Sequence, residues 1–223
     1  MNRLSTIVAL LAFGASASAQ APPRPSPDAL ARLIQARYDR IRDFSADFVH
    51  TYVGGVLRKR LVERGTLQVK RPGRMRWTYT SPEEKLFVSD GSQIYSYIPA
   101  DRQVIVSPMP AGDQATTAAL FLTGKGHLDR DFQVTYADAA LTPPGTYALR
   151  LDPKQAQRDY DWLVLVVDRD SFRFRSLVAA DQQGGTSTFE FSGVKENTGL
   201  ADNSFVFRIP RGVDVIRTGG PSR

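Results

Sequence analysis

Hydrophobic positions set two periods along this chain. In the stretch PDALARLIQARYDRIRDF, residues 27–44, Leu30, Leu33, Ile34, Tyr38, Ile41 and Phe44 recur at steps of three and four. That spacing lays one apolar stripe along a helix. Ser26 suits the cap, Pro27 the first helical position and Asp28 the positive end of the helix dipole. From Phe48 onward the period falls to two, through LQVK, MRWTY, KLFVSD, QIYSYI, RQVIVS, FQVTY, TYALRL, DWLVLVVD, FRFRSLVAAD, TSTFEFSGV and FVFRI. Gly, Pro, Asp and Asn separate these runs, so about eleven short strands are predicted. The gaps are of hairpin length and favour antiparallel pairing. DQATTAALFLTG interrupts them and reads as a short second helix from an Asp113 cap to Gly124.

The alternation also assigns faces. In RMRWTY, residues 74–79, Met75, Trp77 and Tyr79 share one side and Arg74, Arg76 and Thr78 the other. Leu67 and Val69, Phe189 and Phe191, and Phe172 and Phe174 follow the same rule, with charged or polar neighbours pointing to water. One apolar face on a long twisted sheet leaves two arrangements, a sandwich or a strongly curved sheet covered by the helices. Eleven strands present more inward apolar surface than one long and one short helix fill. A partly empty apolar concavity, and so a ligand site, is the expectation. The pair Asp90–Gly91 marks a hairpin turn.

The first twenty residues, MNRLSTIVALLAFGASASAQ, combine a cation, an apolar run from Leu4 to Phe13 and small residues at Ala17 and Ala19. They read as a secretory signal, residues 1–19, cleaved near Ala19 and followed by one domain over residues 20–223. No other apolar run approaches the length of a membrane span. The chain has no Cys, which excludes a disulfide, a thiolate metal site and a thiol nucleophile. The net charge of +6 is dispersed, with no run of five basic residues, so nucleic acid is not expected as a partner.

Catalytic chemistry finds little support. His50 and His127 are the two histidines, and neither has metal-ligand spacing or a nucleophile elbow beside it. GKGHLD, residues 124–129, lacks the spacing and terminal hydroxyl of a phosphate-binding loop. Glu83 with Glu84, and Asp168 with Asp170, sit in turn-like sequence. No enzyme, metal or cofactor is expected.

A set of longer motifs points further. FSADF (44–48), GTLQVKRPGRMRWTY (65–79), SPEEKLFVSDG (81–91), IYSYIP (94–99), DQQG (181–184) and PRGVDVI (210–216) together resemble the LolA family of periplasmic outer-membrane lipoprotein carriers. The core of the resemblance is KRPxxxRW followed by VSDG. It implies a half-open antiparallel β-barrel covered by an N-terminal amphipathic helix and a short lid helix, with a cavity for acyl chains. It further implies a monomer in the periplasm, loaded with triacylated lipoproteins by an inner-membrane LolCDE-type ABC transporter and unloaded to an outer-membrane LolB-type acceptor. Leu67, Val69, Met75, Trp77, Tyr79 and Leu86 on the strands, and Leu33, Ile34, Tyr38 and Ile41 on the helix, would line the cavity. Arg71 matches the family arginine that bonds lid-helix carbonyls and latches the empty cavity. His50 stands where the family often has Gln, and Met75 where Phe or Leu is common. A second reading uses the same half-barrel as a periplasmic lipoprotein sensor controlling an anti-sigma factor; such regulators carry a further C-terminal domain, so the carrier is the expected one.

Overall fold

A computed structural model describes residues 24–56, 58–110, 122–124, 126–157 and 159–218. The signal segment, and all of the expected Asp113–Gly124 helix but its last residues, lie outside these. The first helix, α1, runs Pro27–Tyr38. Ser26 caps it, its Oγ accepting from the Ala29 N–H at 3.2 Å. The periodic stripe extends past the helix end. The chain turns at Asp39–Arg42, and Phe44 already belongs to the first strand, so Ile41 and Phe44 reach the core from a loop and a strand.

The strands are β1 Asp43–Val53, β2 Arg60–Lys70, β3 Arg74–Ser81, β4 Lys85–Asp90, β5 Gln93–Ile98, β6 Gln103–Pro108, β7 Phe132–Tyr136, β8 Thr146–Pro153, β9 Trp162–Asp168, β10 Phe174–Ala180, β11 Thr186–Glu196 and β12 Asp214–Arg217. A one-turn helix, α2 (Leu128–Asp131), precedes β7. All twelve strands form one open sheet in the order β12-β6-β5-β4-β3-β2-β1-β11-β10-β9-β8-β7. It is the half-open barrel expected, with one more strand than predicted. Every pairing is antiparallel except that of β12 with β6, which is parallel. The FVFRI run is not a strand: Phe205 ends a 3-10 turn at Asp202–Phe205 and Val206 is exposed, while the strand forms later, at Asp214–Arg217.

The inner face holds the main core. Leu67, Val69, Leu149, Leu151, Leu163 and Leu165 form one cluster with Leu30, Ala31 and Ile34 of α1, all but fully buried. Gly65 shows how tightly the centre is built. It sits opposite Phe48 in the β1–β2 register, and a Cβ there would lie 2.0 Å from the Thr78 carbonyl oxygen and 2.9 Å from the Phe48 ring. Only a residue without a side chain lets that ring pass over β2 to reach Trp77 and Tyr79 on β3.

The outward cations of β2 and β3 were expected to face water; instead they hold the C-terminal strap against the outer face. Lys70 Nζ donates to the Leu200 carbonyl at 2.7 Å, Arg74 pairs with Asp202 at 2.8 Å and Arg76 donates to the Ser204 carbonyl at 3.1 Å. Phe205 is buried beneath the strap, and Phe207 packs against Tyr95 and Tyr97. At the strap's start, the buried Asp43 carboxylate accepts from the Thr198 and Gly199 N–H groups at 2.8 and 3.1 Å.

Candidate functional site

Eight of the ten residues expected to line a cavity meet on the inner face. Ile34, Tyr38, Ile41, Leu67, Val69, Met75, Trp77 and Tyr79 are each no more than 9 % exposed. The other two stand elsewhere. Leu33 is 49 % exposed, because α1 turns about 100° per residue and its buried face is set by Leu30, Ala31, Ile34 and Tyr38. Leu86 pairs with Thr78 and Tyr97 and shares their outward parity. Its neighbour Phe87, opposite Trp77, takes the inner place and meets Tyr79 ring to ring at 5.6 Å.

The expected half-empty concavity is instead filled by the protein's own rings. Phe48 lies edge-on to Trp77 at 5.1 Å and to Tyr79 at 4.9 Å, and Trp77 lies edge-on to Phe189 at 5.3 Å. Nearer the end of α1, an apolar cavity bordered by Tyr38, Ile41, Phe44, Phe174 and Phe191 measures about 10 Å³. That is about the space one water needs, far short of an acyl chain. Among the described residues, the face is apolar and closely packed at this end.

What closes it is concentrated at the C-terminus of α1. Helix ends leave carbonyls without partners. The β2–β3 turn brings Arg71 to that point, held by its own N–H to the Arg42 carbonyl at 2.8 Å. Arg71 Nη1 donates to the Tyr38 carbonyl at 2.8 Å, its guanidinium lies 4.8 Å from the Tyr38 ring centre, and Nη2 is 3.6 Å from Asp39. The Tyr38 hydroxyl donates to the Leu122 carbonyl. Burial drives the Tyr38 phenol well above its ordinary pKa, so it remains a donor. Gly124 completes the arrangement: a Cβ there would lie 2.1 Å from Arg71 Nε, and its φ of +85° is left-handed. One arginine thus joins α1, the β2–β3 turn and the segment at 122–124. Gln35 adds a second tie, accepting from the Leu128 N–H at 3.1 Å.

A polar row crosses the other end of the same face. His50 Nδ1 is 3.0 Å from Glu63 Oε2, and Glu63 Oε1 accepts from Lys85 Nζ at 2.7 Å. His50 also stacks on Phe189, ring centres 4.2 Å apart. Burial lowers the His50 pKa below its ordinary 6.5, against the pull of Glu63. The bond to Glu63 raises that of Lys85. Sequence reasoning did not assign this row. Parity could have found it, since His50 is two residues from Phe48 and Glu63 four from Leu67, each on the inward alternation. Gly124 read only as a helix stop, because its place beside Arg71 depends on a side chain 53 positions away in the chain.

An open antiparallel half-barrel, its apolar face covered by a helix that one arginine ties down, defines a class of folds. Comparison with known proteins places the chain within it. The family described as outer membrane lipoprotein carrier protein LolA matches residues 39–208, and the chain belongs to that family. An outer-membrane lipoprotein carrier protein of Hahella chejuensis is 32 % identical over 85 % of this chain and 87 % of its own. That of Bordetella avium is 30 % identical over 97 % of each. The crystal structure of an uncharacterized conserved protein from Thermus thermophilus shares the fold, with a TM-score of 0.53 and 15 % identity over 84 % of this chain and 99 % of its own.

Proposed function

We propose that this protein is a periplasmic carrier that takes triacylated lipoproteins from an inner-membrane ABC transporter of the LolCDE type and delivers them to an outer-membrane acceptor of the LolB type. Their acyl chains would replace α1 and the segment at 122–124 against the inner face. Leu67, Val69, Met75, Trp77 and Tyr79 would be the lipid wall, together with Phe87 and Phe189, and Ile34, Tyr38 and Ile41 would meet the chains from the displaced lid side. Arg71 would be the latch.

The observation that carries this reading is an extended aromatic and aliphatic sheet face whose cover is tied by a few polar contacts centred on Arg71. At about 0.8 kcal/mol per methylene, burying about 14 methylenes of one chain is worth roughly 11 kcal/mol. Several chains together would exceed the practical ceiling of about 18–21 kcal/mol for non-covalent affinity. The closed resting core answers this difficulty. Cargo must first displace Tyr38, Ile41 and the rings packed on them, and that opening cost reduces the net affinity to one that an acceptor can overcome.

Photocrosslinking from position 77 in cells making radiolabelled lipoprotein tests the reading. A lipoprotein adduct that disappears when the acylated Cys of the cargo is mutated is expected. Crosslinks to other proteins alone would refute it, as would native mass spectra of the periplasmic protein free of lipoprotein.

A further inference from the structure

Within the apolar wall, two buried nitrogens have no hydrogen-bond partner among the described residues. Trp77 is 3 % exposed and its indole Nε1 is buried and unmatched; His50 Nε2 is the second such atom. Both rings pack on Phe189, His50 stacked at 4.2 Å and Trp77 edge-on at 5.3 Å, so one phenyl ring contacts both groups. Their chemistry is complementary. The indole is a donor only. His50 Nδ1 faces a carboxylate that Lys85 also engages, so Nδ1 carries the proton. Half-buried and neutral, the imidazole therefore presents a lone pair at its buried Nε2.

A buried donor and a buried acceptor left unmatched are each unfavourable, and a hydrocarbon chain satisfies neither. A secondary amide satisfies both, its C=O accepting from the indole and its N–H donating to the imidazole. An ester satisfies only the indole. We infer that Trp77 and His50 form a polar subsite in the lipid wall that receives the amide linking the N-terminal acyl chain to the cargo's cysteine. This rests on the carrier reading and adds to it a preference for N-acylated over N-unacylated lipoproteins. Glu63 and Lys85 act as positioning residues, fixing the imidazole's tautomer from behind.

Calorimetric titration of the purified protein separates the possibilities. The probes are a synthetic triacylated lipopeptide, the same lipopeptide with its acyl amide N-methylated, and a spin-labelled alkane with no carbonyl. Wild type is expected to bind the secondary amide about tenfold tighter than the N-methyl form, the scale of one hydrogen bond lost in a buried site. His50→Leu should abolish that difference and His50→Gln, which keeps an acceptor, should restore it. Trp77→Phe, which keeps an aromatic ring without the N–H, should weaken both lipopeptides about tenfold more than it weakens the alkane. Thermal unfolding of each variant confirms that it is folded. If wild type binds all lipopeptides but does not distinguish the two amides, or if Trp77→Phe weakens the alkane equally, the subsite is refuted and the carrier reading stands. If wild type binds none of the probes, both fail.

Discussion

Replacing Arg71 with Leu tests the closure at its centre. The substitution keeps an aliphatic stem and removes three interactions with the end of α1. The charge-assisted hydrogen bond to the Tyr38 carbonyl, 2.8 Å long, contributes about 1.5–3 kcal/mol. The guanidinium over the Tyr38 ring, 4.8 Å from its centre, adds about 0.5–1 kcal/mol. The 3.6 Å approach to the half-exposed Asp39 adds at most about 1 kcal/mol, because solvent screens it. The sum of about 2–5 kcal/mol corresponds to a fall in Tm of roughly 4–20 °C for a chain of this size. Thermal unfolding of the lipid-free protein measures it, and hydrogen exchange at Tyr38–Arg40 should rise in step. Lipopeptide uptake is expected to persist, while transfer to the acceptor slows, since the latch no longer competes with cargo for the cover. A second substitution makes the reasoning strict. In Gly124→Ala the new Cβ would collide with Arg71 Nε at 2.1 Å, so part of its effect must vanish once Arg71 is gone. A variant Arg71→Leu that melts within about 1 °C of wild type, or strictly additive effects in the double mutant, would refute the latch.

Other substitutions probe the packing and the charges. Gly65→Val should destabilise the fold by more than about 3 kcal/mol, seen as a lower urea midpoint, because its side chain would occupy the space of the Thr78 carbonyl and the Phe48 ring. Asp43→Ala removes a buried acceptor of the Thr198 and Gly199 N–H groups, costing about 2–4 kcal/mol, and should expose the C-terminal strap to limited proteolysis. Stability should also decline as pH falls below 6.5. The half-buried His50 has a folded pKa beneath its unfolded 6.5, so the unfolded chain binds more protons in the window between the two values. His50→Gln is expected to flatten that slope in urea titrations run across the window; an unchanged slope would show that other groups set it.

Much of this molecule was legible in its residues, and the limits of that reading have a common cause. Strand periodicity in LQVK and MRWTY assigned Leu67, Val69, Met75, Trp77 and Tyr79 to the inner face, since side chains of a pleated strand alternate whatever the partner. The Ser26–Pro27–Asp28 start of α1 was equally local, being a matter of capping its first N–H groups. Periodicity could not say where α1 stops, because Ile41 and Phe44 are buried from a loop and a strand and leave the same apolar spacing as helical residues. Nor could it choose between Leu86 and Phe87, adjacent apolar residues whose faces are fixed only by the register of β4 against β3. The strap over Arg74 and Arg76, the joining of Tyr38, Arg71 and Gly124 at one point, and the filling of the half-barrel by Phe48 above Gly65 all depend on distant segments meeting. The order of residues was enough to specify an apolar inner wall, but not that the outer face is also covered, by the strap and around Ala148, Val164, Val166 and Val178. That the wall is closed at rest follows only from the folded chain, because whether apolar surface is left over depends on how rings from separate strands interlock, and no local pattern records that.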